Sequence, residues 1–122
     1  MIYLKRLNYL IKEFHTLNKE FETVAFFRQS IHYYLFWIEM LRGFYEKKTR
    51  SVEQLVFYMK YYGVSKQTVL NLIKKAEKLS YLKKIKGTKD KRKIFIEPEL
   101  LTIKQFEEWS KQLAKGLNPK IK

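Results

Sequence analysis

Residues 82–97 read LKKIKGTKDKRKIFIE. Seven of these sixteen residues are Lys or Arg, at positions 83, 84, 86, 89, 91, 92 and 93. Leu82–Ile85 and Lys93–Ile96 each mix apolar and charged residues, and the loop between them contains Gly87. Two short strand-like runs around a glycine-bearing loop predict a β-hairpin. Like charges repel, so a hairpin this basic needs a reason beyond its own stability.

Upstream, the pattern changes to helical. Ser65 is a predicted N-cap, and Val69, Leu72, Ile73, Ala76 and Leu79 follow at the spacing of one helix face. Ser51 is an earlier N-cap with Gln54 three residues on, the capping-box spacing. Val52, Leu55, Val56 and Met59 give that short helix its apolar face. Tyr61-Tyr62-Gly63-Val64 joins the two helices, with Gly63 free to take a positive φ. Two short capped helices around a glycine turn have helix-turn-helix spacing.

Further out lie longer helices. Leu4, Leu7, Ile11, Phe14 and Leu17 mark a narrow stripe on a helix over 2–19, suited to the domain or to a partner chain. Residues 23–47 read as one long helix. Eight of the twenty residues 26–45 are aromatic. This helix is apolar on nearly every face around Ile31–Ile38, so covering it calls for helix one, another helix and a second subunit. The run EKKTR at 46–50 reads as a loop. Pro98 is suited to the first position of a last helix. Ile103, Phe106, Trp109, Leu113 and Leu117 continue that helix, with Gly116 and Pro119 ending it. The expected order is four helices, a hairpin and a final helix. No linker or repeat divides the chain, so residues 1–122 are expected to form one domain.

Composition narrows the function. The 122 residues are 46% hydrophobic and 16% aromatic, which argues against disorder. There is no cysteine, hence neither a disulfide frame nor a thiolate zinc site. The longest stretch without a charge is ten residues, Gln29–Ile38, against the ~20 apolar residues a membrane span needs. The basic, amphipathic N-terminus does not resemble a signal peptide. A cytoplasmic protein with no membrane association is expected.

The formal net charge is +14, and its location is informative. Residues 1–50 carry nine basic and five acidic groups; residues 66–93 carry eleven basic and two acidic. Codon bias explains 21 Lys against 5 Arg but not this concentration. A localised basic surface predicts a polyanionic partner.

A helix-turn-helix followed by a hairpin is a winged helix. From Ser51 to Glu97 the chain, SVEQLVFYMKYYGVSKQTVLNLIKKAEKLSYLKKIKGTKDKRKIFIE, resembles the winged-helix domain of MarR-type transcription regulators. Ser65–Val69 match the start of that family's recognition helix. Asp90-Lys91-Arg92 match its wing-tip acidic–basic signature. The resemblance implies that Arg92 enters the minor groove and that Asp90 helps orient it. It also implies a homodimer through the N-terminal helices of 1–47 and the C-terminal helix of 98–117. It allows a small-molecule effector, which no residue pattern here supports. Three features depart from the family. Ser80 stands where glycine often precedes the wing, Glu97-Pro98 stands where Leu-Thr is common, and the C-terminal segment is short.

The expected fold class is therefore mainly α with a small β-hairpin wing. With Val69, Leu72, Ile73 and Ala76 on the core, the outer face of the second helix shows Lys66, Gln67, Leu70, Asn71, Lys74, Lys75 and Lys78. Gln and Asn can pair with adenine in the major groove, and Leu70 can touch a thymine methyl. Ser65 and Thr68 sit at the helix start, where free N–H groups favour a phosphate. The lysines suit phosphates, which position a protein without reading sequence. Lys89, Asp90, Lys91 and Arg92 complete the predicted DNA contacts at the wing tip. The plain alternatives are a solvated helix face and lysine protection of an edge strand. The second explains two or three lysines, not seven basic residues.

Enzyme chemistry is not expected. His15 and His32 are seventeen residues apart with no acidic partner at a recognisable spacing. Glu107 and Glu108 are adjacent on a helix and point apart. GTKDKRK lacks the ending of a phosphate-binding P-loop. No catalytic residue, metal site or cofactor is expected. The function read from the sequence is a sequence-specific double-stranded DNA-binding transcription regulator, with a recognition helix at about 65–79 in the major groove and the basic wing 82–97 at the adjacent minor groove. Two alternatives stay open: a phage or plasmid replication or packaging protein, and a winged-helix module binding RNA or an acidic protein. Tyr81 or Phe95 would stack on single-stranded bases in the RNA case.

Overall fold

The structure is a computed structural model that describes residues 1–118, with the side chains of 16–19 excepted. The predicted stripe residue Leu17 and the helix-ending Pro119 therefore lie outside what is described. The elements are α1 (Ile2–Glu20), α2 (Glu22–Phe27), α3 (Ile31–Tyr45), β1 (Arg50–Ser51), α4 (Val52–Lys60), α5 (Lys66–Lys78), β2 (Leu82–Lys86), β3 (Ile94–Pro98) and α6 (Leu100–Leu117). The chain is mostly helical with a small antiparallel sheet in the order β1-β3-β2, as winged-helix folds have.

The helix-turn-helix forms from local signals. Ser51 Oγ accepts from the Gln54 N–H, and Gln54 Oε1 accepts from the Ser51 N–H, closing a capping box. Ser65 caps α5 by accepting from the Thr68 N–H at 3.2 Å. Gly63 takes φ +78 in the connecting turn. Three helix ends share one hydrogen-bond pattern with a left-handed residue at its centre. Lys47 (φ 59), Gly63 (φ 78) and Ser80 (φ 63) each sit where the next N–H reaches back to the helix: Lys48 to Gly43 O, Val64 to Met59 O, Tyr81 to Ala76 O. Ser80, the residue that departs from glycine before the wing, thus holds a glycine-like conformation.

Several expectations are corrected. Residues 23–47 are not one helix but two, α2 and α3. Ser30 Oγ accepts from the Tyr33 N–H, and Gln29 Nε2 donates to Phe26 O, so a cap and a turn interrupt the aromatic run. The break folds the run on itself. Phe27 stacks on Trp37 at 6.1 Å and lies parallel to Phe36 at 6.5 Å, while Phe106 and Trp109 of α6 meet the Trp37 ring at 5.5 Å. Phe36, Trp37, Met40 and Leu41 are thus buried within the chain, while Ile31 is 63% exposed and Tyr33, Tyr34, Leu35 and Ile38 are half-buried.

The stripe of α1 is not its inward face. Leu4, Leu7, Ile11 and Phe14 are 52–62% exposed. Instead Tyr9 and Glu13 meet α6: Tyr9 Oη donates to Gln112 O at 2.9 Å, and Trp109 Nε1 donates to Glu13 Oε1 at 2.6 Å. Arg28, at the α2–α3 break, also bonds Glu13 and lies over the Phe14 and Trp109 rings. Gly116 does not end α6. A Cβ there would fall within the Tyr9 ring, so this glycine permits the two helices to approach.

Pro98 closes β3 opposite Leu82 rather than opening α6, whose N-cap is Glu99. The run EKKTR is a turn only in part, because Arg50 pairs with Ile96 as the start of β1. Leu79, placed on the apolar face of α5, is the C-cap and is exposed. The core is one cluster running from Phe21 to Trp109, and it takes in Leu55, Met59, Val69, Leu72, Ile73, Tyr81, Leu82 and Ile96.

Candidate nucleic-acid interface

Burial of Val69, Leu72, Ile73 and Ala76 sets the rotation of α5. The opposite face lies against a groove of about 920 Å³ between α4, α5 and the hairpin. Lys66, Gln67, Leu70, Asn71 and Lys74 line it from α5, and Arg92 lines it from the hairpin. Six of the twelve predicted contact residues are therefore brought to one concavity. Ser65, Thr68, Lys75, Lys89, Asp90 and Lys91 lie outside that lining.

Ser65 and Thr68 are engaged with each other, Oγ to Oγ1 at 2.9 Å, beside the backbone cap. Gln67 Nε2 donates to Asn71 Oδ1 at 2.9 Å, so the two amides form a pair before any ligand arrives. The hairpin tip is closed by Gly87 N to Lys93 O and Lys93 N to Asp90 O. Asp90 Oδ1 accepts from the Arg92 N–H at 3.0 Å and from Arg92 Nε at 3.4 Å. The Arg92 side chain is nonetheless 93% exposed. A carboxylate thus holds the backbone N–H and the Nε edge of this residue while the rest of the guanidinium stays in solvent.

Two acids temper the hairpin charge in a way its own stretch conceals. Lys84 pairs with Glu77 of α5 at 3.4 Å, and Lys83 reaches Glu99 at 4.0 Å. The first pair links the wing to α5. Tyr81 does not offer its ring to a base: it is buried, and its hydroxyl donates to Glu22 at 3.0 Å. Phe95 is half-buried over Gly87.

The sequence reading missed the third wall. Phe57 and Lys60 of α4 line the groove, as do Lys84 and Lys93 of the hairpin. The signal was present: Glu53, Phe57 and Lys60 share the α4 face away from Leu55 and Met59, at helical spacing. His15 and His32 are exposed. Among the described residues no group of three His, Asp or Glu side chains could hold a metal ion, and no helix is long and apolar enough to cross a membrane.

No protein-family model matches the chain, and no curated protein matches it. Solved structures do. The heme sensor PefR from Streptococcus agalactiae, in complex with heme, superposes with a TM-score of 0.58 at 20% identity, over 95% of this chain and 76% of PefR. The transcriptional regulator Tm0710 from Thermotoga maritima gives 0.59 at 17% identity, over 93% of this chain and 76% of its own. BpsR of Bordetella bronchiseptica, whose DNA binding is regulated by 6-hydroxynicotinic acid, gives 0.50 at 18% identity, over 88% of this chain and 80% of its own. The fold is that of MarR-type regulators. In MarR-type terms α4 and α5 are the helix-turn-helix, β2 and β3 the wing, and α1 and α6 the flanking helices. At these identities the likeness is one of fold, and function is argued from the groove.

Proposed function

We propose that this single-domain protein is a dimeric, sequence-specific duplex-DNA-binding transcription regulator acting in the cytoplasm. The observation that carries the proposal is the three-walled groove, which gathers Lys66, Gln67, Leu70, Asn71 and Lys74 with Arg92. In this reading α5 enters the major groove. Gln67, Leu70 and Asn71 face base edges, and Lys66, Lys74 and Lys75 take phosphates. Lys89, Lys91 and Arg92 reach the adjacent minor groove, with Asp90 orienting the arginine. Ser65 and Thr68 lie where the start of α5 meets a phosphate. The exposed stripe of α1 supports dimerisation, because four large apolar side chains at one helical spacing are left in water. A two-fold dimer would place two copies of α5 on successive turns of a duplex.

The test is fluorescence anisotropy with duplex DNA, single strands and RNA, titrated against salt, with competition from a pool of random duplexes. Tight, salt-sensitive duplex binding that enriches a palindromic site is expected. Weak binding, equal for every polyanion, would overturn the regulator reading.

A further inference from the structure

Phe57 is the most exposed phenylalanine among the described residues, at 79%. Its neighbours in sequence serve the core: Leu55 and Met59 are fully buried, so α4 packs without it. It lines the same groove as Lys60 of α4, as Gln67, Leu70 and Asn71 of α5, and as Arg92 of the hairpin. On that face of α4 the ring stands between Glu53 and Lys60 in sequence, and an apolar ring adds nothing to phosphate binding. On the major-groove edge of a duplex the apolar group is the C5-methyl of thymine. We infer that Phe57 and Leu70 form an apolar slot for a thymine methyl, and that the groove thereby selects A·T pairs beside the Gln67–Asn71 amides. This rests on the reading of the groove as a duplex-DNA site. It adds a specificity residue from outside the recognition helix.

The test uses the full chain and a duplex selected from a random pool. Each thymine is replaced in turn by deoxyuridine, which deletes only the methyl. Losing one contacted methyl should weaken wild-type binding roughly fourfold, the equivalent of one buried methylene. Phe57→Ala should bind the thymine duplex more weakly by at least that factor and should no longer distinguish deoxyuridine at that position. Phe57→Leu should retain most of the discrimination. The slope of log affinity against log salt should match wild type in both variants, because no phosphate contact is lost. Circular dichroism of each variant checks that the fold is kept. Phe57→Ala binding like wild type, or deoxyuridine weakening both proteins equally, overturns the slot. Arg92→Ala, run in parallel, separates the two claims. If it weakens binding and lowers the slope while Phe57→Ala does neither, only the slot falls. If neither variant changes binding, the DNA reading of the groove falls with it.

Discussion

Gln67 Nε2 donates to Asn71 Oδ1 at 2.9 Å, one helical turn along α5. The bond occupies the Asn71 oxygen and leaves that amide its two N–H donors. Gln67 keeps its own oxygen and one N–H, the pair needed to meet adenine N6 and N7. Gln67→Ala should therefore relax a preference for adenine, and Asn71→Ala a preference for an acceptor edge such as thymine O4 at a neighbouring pair. Because the amides hold one another, the two losses should not add; a coupling of about 0.5–3 kcal/mol is expected. A double-mutant cycle on the selected duplex measures it, and strict additivity would refute the pairing as a unit of recognition.

Asp90 holds Arg92 at its backbone N–H and reaches its Nε at 3.4 Å, while the rest of the guanidinium stays in solvent. Arg92→Ala should weaken duplex binding and reduce the salt slope by about one contact. Asp90→Asn, which keeps an acceptor for the Arg92 N–H, should hold affinity, whereas Asp90→Ala should lower it. Salt titrations of the three variants decide this; an unchanged slope for Arg92→Ala would place the wing away from the duplex.

The α1 stripe supplies a third prediction. Leu7 and Ile11 are exposed in the single chain, so Glu at either position leaves its own fold unstrained. Wild type should sediment at twice the 15.0 kDa chain mass, and Leu7→Glu or Ile11→Glu should halve that value. Affinity for a palindromic site should fall with it. A monomeric wild type at micromolar concentration would refute the dimer.

Ser80 holds φ 63 without being glycine. A left-handed conformation costs a side-chain-bearing residue roughly 1–2 kcal/mol. Ser80→Gly should raise stability by about 1 kcal/mol, part of the gain being lost to the freer unfolded chain. Gly63→Ala should lower it by a similar amount through φ alone, since nothing lies within 4 Å of the added Cβ. Urea denaturation reads both, and a destabilised Ser80→Gly would show that the serine side chain contributes a bond of its own.

Four tyrosines set the alkaline limit. Burial, followed by the neighbouring Tyr62 hydroxyl, pushes Tyr58 up to about 12. Burial also raises Tyr81, aided by its bond to Glu22, and Tyr9, aided by the charges of Glu13 and Glu20. Tyr45 is raised by burial and by its bond to Glu107. In each case the folded state holds its proton more tightly than the unfolded chain, where tyrosine titrates near ~10. The stabilisation is thus fully present below about pH 10 and is lost as pH rises toward about 12. Denaturation midpoints should be flat up to pH 9 and fall above 10, less steeply in Tyr81→Phe. A midpoint unchanged at pH 11 would refute the assignment.

Short-range features were legible from the sequence because they are made by neighbours in the chain. The Ser51–Gln54 box, the Ser65 cap, the Gly63 turn, the face of α5 and the hairpin all depend on residues a few positions apart. Equally legible was the +9 concentrated in residues 66–93, which marks a candidate interface before any fold is known. What needed the tertiary structure was every feature set by distant residues. The break at Ser30 carries local marks, its cap and the Gln29 turn, which the aromatic run masked; that α2 then folds back onto Trp37 and α6 is set by distant residues. Position 116 lacks a side chain inside α6 because Tyr9, more than a hundred residues earlier, occupies the space one would need. Phe57 joined the groove only once α4, α5 and the wing were brought to one concavity. Hydrophobic periodicity states that a face will be buried; which partner covers it depends on packing across the whole chain.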